Sequence, residues 1–110
     1  KLVLKDVINS NNKQINIETI QSVVASYFKI SLKEMLSPRR SRSLVRPRHI
    51  AMYLSKKHTT KSLPDIGRNF SNRDHTTVIH AVKTVEKLMG EEKNYVHDIE
   101  QIKNQLFKVS

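Results

Sequence analysis

Four consecutive polar residues, Asp74, His75, Thr76 and Thr77, stand directly ahead of a strongly periodic apolar stretch. A carboxylate, an imidazole and two hydroxyls in a row are the ingredients of a metal site, a nucleophilic triad or hydrogen-bonded recognition of another molecule. Spacing argues against the first. Two histidines that hold zinc from one helix face stand four residues apart, whereas His75 and His80 are five apart and point about 140° away from each other at about 100° per residue. A triad fares no better, because Asp74 and His75 are neighbours at one helix start and no serine nearby has an orienting context. Recognition accounts for more of the residues. The second helix of a helix-turn-helix places its N-terminal residues against base edges in the major groove of DNA. There Asp74 would accept from an exocyclic amine, His75 would bond or pack on an edge, and the Thr76 methyl would suit a thymine methyl. His80, Lys83 and the N–H groups of the helix start would then lie near phosphates. The alternative is a merely solvated helix start.

The elements that must position these residues read as helices throughout, since two glycines, three prolines and no sustained alternation give strands little support. Leu2, Val3 and Val7 suggest the tail of an amphipathic helix, and the polar run "NSNNKQ" a linker. Asn16 is placed to cap a first helix with Ile17, Ile20, Val24, Tyr27 and Phe28 on one face. Ser31 and Glu34 form a capping-box pattern for a short helix that Pro38 ends. The segment "PRRSRS" makes a loop, and a helix follows from about Val45 to His58, with Pro47 acceptable only in its first turn and Ile50, Tyr53 and Leu54 inward. Ser62 and Asp65 repeat the capping-box pattern, opening a short helix through Phe70 with Ile66 and Phe70 inward. Only three residues separate Phe70 from Asp74, so the next helix must turn sharply, as in a helix-turn-helix. Asp74 caps that helix by accepting from Thr76 or Thr77 N–H, and Gly90 closes it after Met89. Val78, Val82, Val85 and Met89 fall on one face, and Thr76, His80, Lys83 and Lys87 on the opposite one.

At 110 residues the chain fits one domain able to bury about two thirds of its unfolded surface. The absence of cysteine excludes disulfides and thiolate metal sites and fits a cytoplasmic protein. The longest apolar run, Ile50 to Leu54, is far short of the roughly 20 residues a membrane helix needs. The chain begins at Lys1, which suggests a fragment of a longer protein. A net charge of +10 points to a polyanionic partner, nucleic acid before anionic membrane. The charge is also unevenly placed: from Met35 to Pro64 there is no acidic residue, while Arg39, Arg40, Arg42, Arg46, Arg48, Lys56, Lys57 and Lys61 all fall there.

Together, "RNFSNRDHTTVIHAVKTVEKL", "SPRRSRSLVRPRHIAMYLSKK" and the "SLPDIG" between them closely resemble the C-terminal DNA-binding domain (the fourth domain) of the DnaA family of bacterial replication initiators. The resemblance covers about residues 17 to 107. It implies an all-α, compact helical domain with a helix-turn-helix core of the Trp-repressor-like kind, with residues 1–14 a remnant of an interdomain linker helix and 15–110 the DNA-binding domain. It further implies sequence-specific binding of double-stranded DNA at the DnaA-box repeats of a replication origin. By matching positions, Arg40 would enter the minor groove, where narrow A·T-rich stretches attract arginine. Asp74, His75 and Thr76 would read bases in the major groove, with Arg48 near the groove. Arg42, Lys56, Leu63 through its backbone, Thr77, His80 and Lys83 would bind or approach the phosphate backbone. Two positions depart from the family pattern. Ser71 and Asn72 replace the usual turn glycine, and Asn tolerates the left-handed conformation. His49 stands where glutamine is usual, which leaves its contact role open. Full-length relatives bind ATP in an upstream domain; this chain has no glycine-rich phosphate loop followed by Lys and Ser or Thr, so no ATP cofactor and no enzymatic activity are expected of it.

Two other readings compete. The basic face could dock an acidic protein, a regulatory partner or acidic phospholipids, although a lipid face favours aromatic or leucine anchors and the exposed stripe carries Thr and His. A generic helix-turn-helix regulator would need a dimer to span two half-sites; Tyr95, Ile99, Ile102 and Leu106 are instead needed for the domain's own core, so a monomer is expected.

Overall fold

Six α-helices follow one another with no strand among the described residues, which are 15–107 in this computed structural model. They are α1 (Ile17–Tyr27), α2 (Leu32–Met35), α3 (Arg42–His58), α4 (Leu63–Asn69), α5 (His75–Glu91) and α6 (Lys93–Leu106). The linker helix expected within residues 1–14 lies outside the described residues.

Local chemistry sets most of the boundaries. The Asn16 side chain accepts from the Thr19 N–H at 2.8 Å and opens α1, which buries Ile17, Ile20 and Val24. The capping box of α2 is complete: Ser31 Oγ accepts from the Glu34 N–H at 3.0 Å, and the Glu34 carboxylate accepts from the Ser31 N–H at 3.4 Å. α1 ends in a Schellman motif that no glycine announces. Lys29 takes a φ of 59°, the Ile30 N–H reaches the Ala25 carbonyl at 3.0 Å, and the Lys29 N–H reaches that of Ser26 at 3.1 Å.

Three boundaries differ from expectation. α3 starts at Arg42, not near Val45, because the Ser41 carbonyl already accepts from the Leu44 and Val45 N–H groups. Pro47 therefore falls in the second turn, where no N–H reaches the Ser43 carbonyl; that gap lies beside an exposed residue, which water can satisfy. At α4 the Ser62 hydroxyl accepts from the Asp65 N–H at 3.3 Å, but the return bond of a capping box is not made. Aspartate is one methylene shorter than glutamate, and the Asp65 carboxylate pairs with Arg68 instead. Gly90 does not close α5, which runs on to Glu91; Glu92 caps that end and opens α6. A helical glycine costs only about 1 kcal/mol, and Leu88 and Met89 packed against the core hold the last turn in register.

α3 and α5 pack across each other at the centre, with α4 on α5 and α1 and α6 closing the other side. Ile50, Leu54, Phe70, Val78, Val85 and Tyr95 are buried at this junction, each apolar side chain worth about 1.5–3 kcal/mol relative to exposure. Tyr53, Val82 and Met89 are only half-buried. The Tyr27 hydroxyl donates to the Asp98 carboxylate at 2.8 Å and ties α1 to α6.

The turn between α4 and α5 is the tightest part of the chain. The Arg73 N–H donates to the Gly67 carbonyl at 2.9 Å, and Ser71 and Asn72 both adopt left-handed backbone, with φ of 62° and 56°. The turn expected at these two positions is therefore kept without glycine. Glycine is required instead at Gly67, where an added Cβ would lie 2.1 Å from the Arg73 carbonyl oxygen. On the far side of α5, His49 of α3 packs edge-on against His80 with ring centroids 6.0 Å apart. Burial, with the neighbouring charges of His80, Arg48 and Arg73 adding to it, pushes the His49 pKa down to about 4.

Gly67→Ala is expected to lower the unfolding free energy by about 1–3 kcal/mol, as overpacking does, readable in urea denaturation; unchanged stability would mean the turn has room that the geometry denies. The second expectation concerns acid. Unfolded His49 protonates near 6.5 and folded His49 only near about 4, so the unfolded state binds more protons between these values. Its contribution is complete above the unfolded value and is lost as the pH falls toward the folded one; His58, lowered mainly by burial, acts in the same direction. The melting temperature of His49→Gln should thus fall less steeply than that of the parent between about pH 7 and about pH 5. Parallel melting profiles would remove His49 as the cause.

Candidate nucleic-acid interface

The start of α5 stands free of the core. Asp74, His75 and Thr76 are exposed, while Val78 and Ala81 on the opposite face are fully buried. Asp74 occupies the N-cap position, yet its side chain makes no capping bond to the N–H of Thr76 or Thr77. Its carboxylate accepts instead from the Thr76 hydroxyl at 2.9 Å and lies 3.0 Å from His75 Nδ1. This corrects the expected bond to the Thr76 or Thr77 amide, and the cause is local: a hydroxyl and an imidazole within two residues compete for the same two oxygens. Chiefly the Thr76 hydroxyl, with His75 adding through its amide and ring, holds the Asp74 carboxyl below its usual range. A tethered Thr76 hydroxyl fixes χ1 and therefore the direction in which the methyl points.

The basic loop approaches α5 from the α2–α3 connection. Arg39, Arg40 and Arg42 are exposed, and Arg40 rims a cleft whose other walls include Arg46, Thr84 and Tyr95. Arg42 lies in the first turn of α3, a position that repels cations through the helix dipole; α1, α2 and α4 instead carry Glu18, Glu34 and Asp65 in their first turns. A cation held where the fold disfavours it is suited to an anion arriving from outside.

Arg48 is placed differently from the rest. It is 6% exposed, and its guanidinium donates to the carbonyls of Met35 at 2.7 Å, Ser37 at 2.8 Å and Arg39 at 3.1 Å. A side chain bonded to three carbonyls beneath the loop supports the loop, in addition to the place near the groove that the resemblance implies for it. Arg73, to which sequence reasoning assigned no role, reaches one of these carbonyls from the turn: it donates to Ser37 at 2.6 Å, and also to Phe70 of its own turn at 2.6 Å. Burial depresses the pKa of both guanidinium groups, and at Arg48 the charge of Arg73 adds to it. The inward bonds of these two arginines leave no mark in the spacing, since their partners beyond the turn are backbone groups 9 to 37 residues away.

Along α5, Thr76, His80, Lys83 and Lys87 form one exposed stripe. Lys56 is exposed on α3, Thr77 is half-buried, and Leu63 is the first residue of α4, where backbone N–H groups have no helical partner. His80 is not isolated: besides His49, it lies 3.5 Å from the Thr84 hydroxyl. Among the described residues no three His, Asp or Glu side chains gather where a metal ion would need them, and no helix is long and apolar enough to cross a membrane.

Comparison with known proteins bears on this geometry. Residues 17–85 match the family model described as the bacterial dnaA protein helix-turn-helix. Over 104 residues the chain is 51% identical to the chromosomal replication initiator protein DnaA of Ehrlichia ruminantium (strain Gardel), an alignment that covers 94% of this chain and 22% of that protein. Over 105 residues it is 52% identical to the corresponding protein of Wolbachia pipientis wMel, covering 96% of this chain and 23% of that one. A crystal structure of a DNA replication initiation factor superposes with a TM-score of 0.73 at 35% identity, over 83% of this chain and 28% of the other. The chain thus spans less than a quarter of the length of these two relatives. With its turn, its exposed helix tip and its sequence all in agreement, this all-helical chain belongs to the bacterial DnaA helix-turn-helix family.

Proposed function

We propose that this domain binds double-stranded DNA sequence-specifically at DnaA-box repeats of a replication origin, reading two grooves at once. The observation that carries the reading is the pairing of an exposed Asp74–His75–Thr76 tip at the start of α5 with an exposed Arg40 on a loop devoid of acidic residues. A helix of this size fits the major groove, where each base pair shows a distinct pattern of donors, acceptors and methyls. In the minor groove the pattern is degenerate, and a single arginine is drawn by the deeper potential of a narrow A·T stretch.

The roles follow from chemistry. Asp74, His75 and Thr76 contact base edges, with the Thr76 methyl held against thymine by the hydroxyl's bond to Asp74. Arg40 enters the minor groove. Arg42, Lys56 and Lys83 neutralise phosphates, His80 and Thr77 hydrogen-bond to them, and the Leu63 N–H donates from the helix start. Arg48 supports the loop from beneath, beside the groove. Membership in a family of replication initiators supports the same reading and gives it a biological setting, the initiation and regulation of chromosome replication. The lipid-docking alternative gains nothing from the α5 stripe, which offers Thr, His and Lys without an apolar anchor.

The deciding experiment is fluorescence-anisotropy titration against a duplex holding one DnaA box and against a scrambled duplex of equal composition, at physiological salt. A preference of about a hundredfold or more, equivalent to about 2.7 kcal/mol, is expected; equal affinity would reduce the domain to a backbone binder. Within that assay His75→Ala or Thr76→Ala should each cost about 1–3 kcal/mol on the box, and Arg40→Ala should relax the A·T preference at one end. Equal losses on both duplexes for all three variants would refute the roles given to them. With three phosphates neutralised by Arg42, Lys56 and Lys83, log K should fall against log salt with a slope of about −3, and a flat dependence would exclude the electrostatic component.

A further inference from the structure

We infer that Arg73 is a positioning residue for DNA reading: from the turn before α5 it holds the carbonyls of the α2–α3 loop, and so sets where Arg40 stands relative to the α5 tip. The inference rests on the two-groove reading proposed above.

Arg73 directly precedes Asp74, the first residue of the tip. One guanidinium nitrogen donates to the Phe70 carbonyl at 2.6 Å and lies 3.4 Å from that of Leu36; the other donates to Ser37 at 2.6 Å. The same side chain is therefore bonded to its own turn and to a segment 36 residues earlier in the chain. Ser71, in the left-handed turn, donates its hydroxyl to the Leu36 carbonyl at 2.7 Å and makes the second tie between the same two segments. Beyond Ser37 the connection continues: Arg48 donates to the Ser37 carbonyl at 2.8 Å and to that of Arg39, the neighbour of Arg40, at 3.1 Å. A chain of backbone acceptors thus runs from the turn to the residue beside the proposed minor-groove arginine.

Geometry matters here because each polar contact found for Arg73 is a backbone carbonyl, which fixes position and not merely charge. The guanidinium offers a planar fork of donors that an ammonium cannot reproduce. Two contact elements held at a set separation bind as one unit, since once the first has docked the second forms without a further ordering cost. Loosening the tie leaves Arg40 in place chemically but makes its docking pay for ordering the loop.

The test is a double-mutant cycle in the whole chain, with the box and scrambled duplexes and thermal melting of each variant as a control. Arg40→Ala and His75→Ala are each measured in the parent and in Arg73→Lys. In the Arg73→Lys background the penalty of Arg40→Ala on the box should shrink by about fivefold to tenfold, the coupling expected of groups joined in one hydrogen-bonded unit. The penalty of His75→Ala should stay within about twofold of its parent value, as for independent sites. A merely structural Arg73 would not separate the two. Equal Arg40→Ala penalties in both backgrounds, with box preference intact in the parent, overturn the inference alone. Equal affinity of the parent for both duplexes overturns the two-groove reading and this inference with it. Should Arg73→Lys melt below the assay temperature, Ser71→Gly removes only the second tie and relieves a left-handed side chain. It should show coupling of the same sign and smaller size, and its absence likewise overturns the inference.

Discussion

The carbonyl of Ser37 accepts from two guanidinium groups, Arg48 from α3 and Arg73 from the turn before α5. Short helices end with carbonyls that have no partner of their own, and α2 is a helix of four residues whose following carbonyls point inward. Their satisfaction by buried Arg48 and half-buried Arg73 joins three elements at one place: the central helix, the helix-turn-helix turn and the basic loop. Leaving Arg48 out would take the side-chain donor from the buried Met35 carbonyl, at a cost of about 1–3 kcal/mol. The position of the exposed residues on either side, Arg40 on the loop and Asp74 to Thr76 on α5, follows from this junction.

The same junction shows why the charge of the domain is one-sided. The inward-turned guanidinium groups of Arg48 and Arg73 are met by carbonyl dipoles, and the exposed arginines of the loop crowd the positive end of α3. Like charges so placed repel and reduce folding stability, while an anion that binds the folded state alone returns that stability by mass action. The few ion pairs nearby, such as Arg46 with Glu92 at 3.5 Å, are solvent-exposed and offset little of it. A surface that is strained electrostatically on its own and relaxed by a polyanion suits a domain whose partner is DNA.

Strain of another kind is placed in the turn. Ser71 and Asn72 adopt left-handed backbone in succession, each at a cost of about 1–2 kcal/mol for an ordinary side chain. Gly67 lets the backbone of Arg73 approach where any Cβ would collide. The return on this strain is positional, since it aims Ser71 Oγ and the Arg73 guanidinium at the loop and Asp74 outward. Such outliers persist where the surrounding contacts over-determine them, and here Phe70, fully buried, anchors the turn from below.

Much of this was legible in the residues themselves, because the signals involved are local. The caps at Asn16, Ser31 and Ser62 follow from a side chain reaching a backbone amide three residues on. The faces of α5 follow from helical periodicity, and Val78 and Val85 are buried where that period puts them. The family followed from the motifs around the turn. Local signals failed where they competed: a hydroxyl two residues away took the Asp74 carboxylate from the amide it was expected to cap, and an early Ser41 carbonyl moved the start of α3. What only the tertiary structure decided is which arginines face outward. Arg48 falls at helical spacing on the buried face of α3, with Leu44, Ala51 and Ser55, but Arg40 and Arg73 lie outside the helices, where no period separates them. Arg48 and Arg73 turn inward onto carbonyls at and beyond the end of α2, 9 to 13 residues from Arg48 and 36 residues from Arg73, while Arg40 stays exposed. Spacing along the chain encodes helix faces and caps; a side chain that bonds to backbone far away in sequence leaves no pattern in the spacing, since every residue carries the same carbonyl.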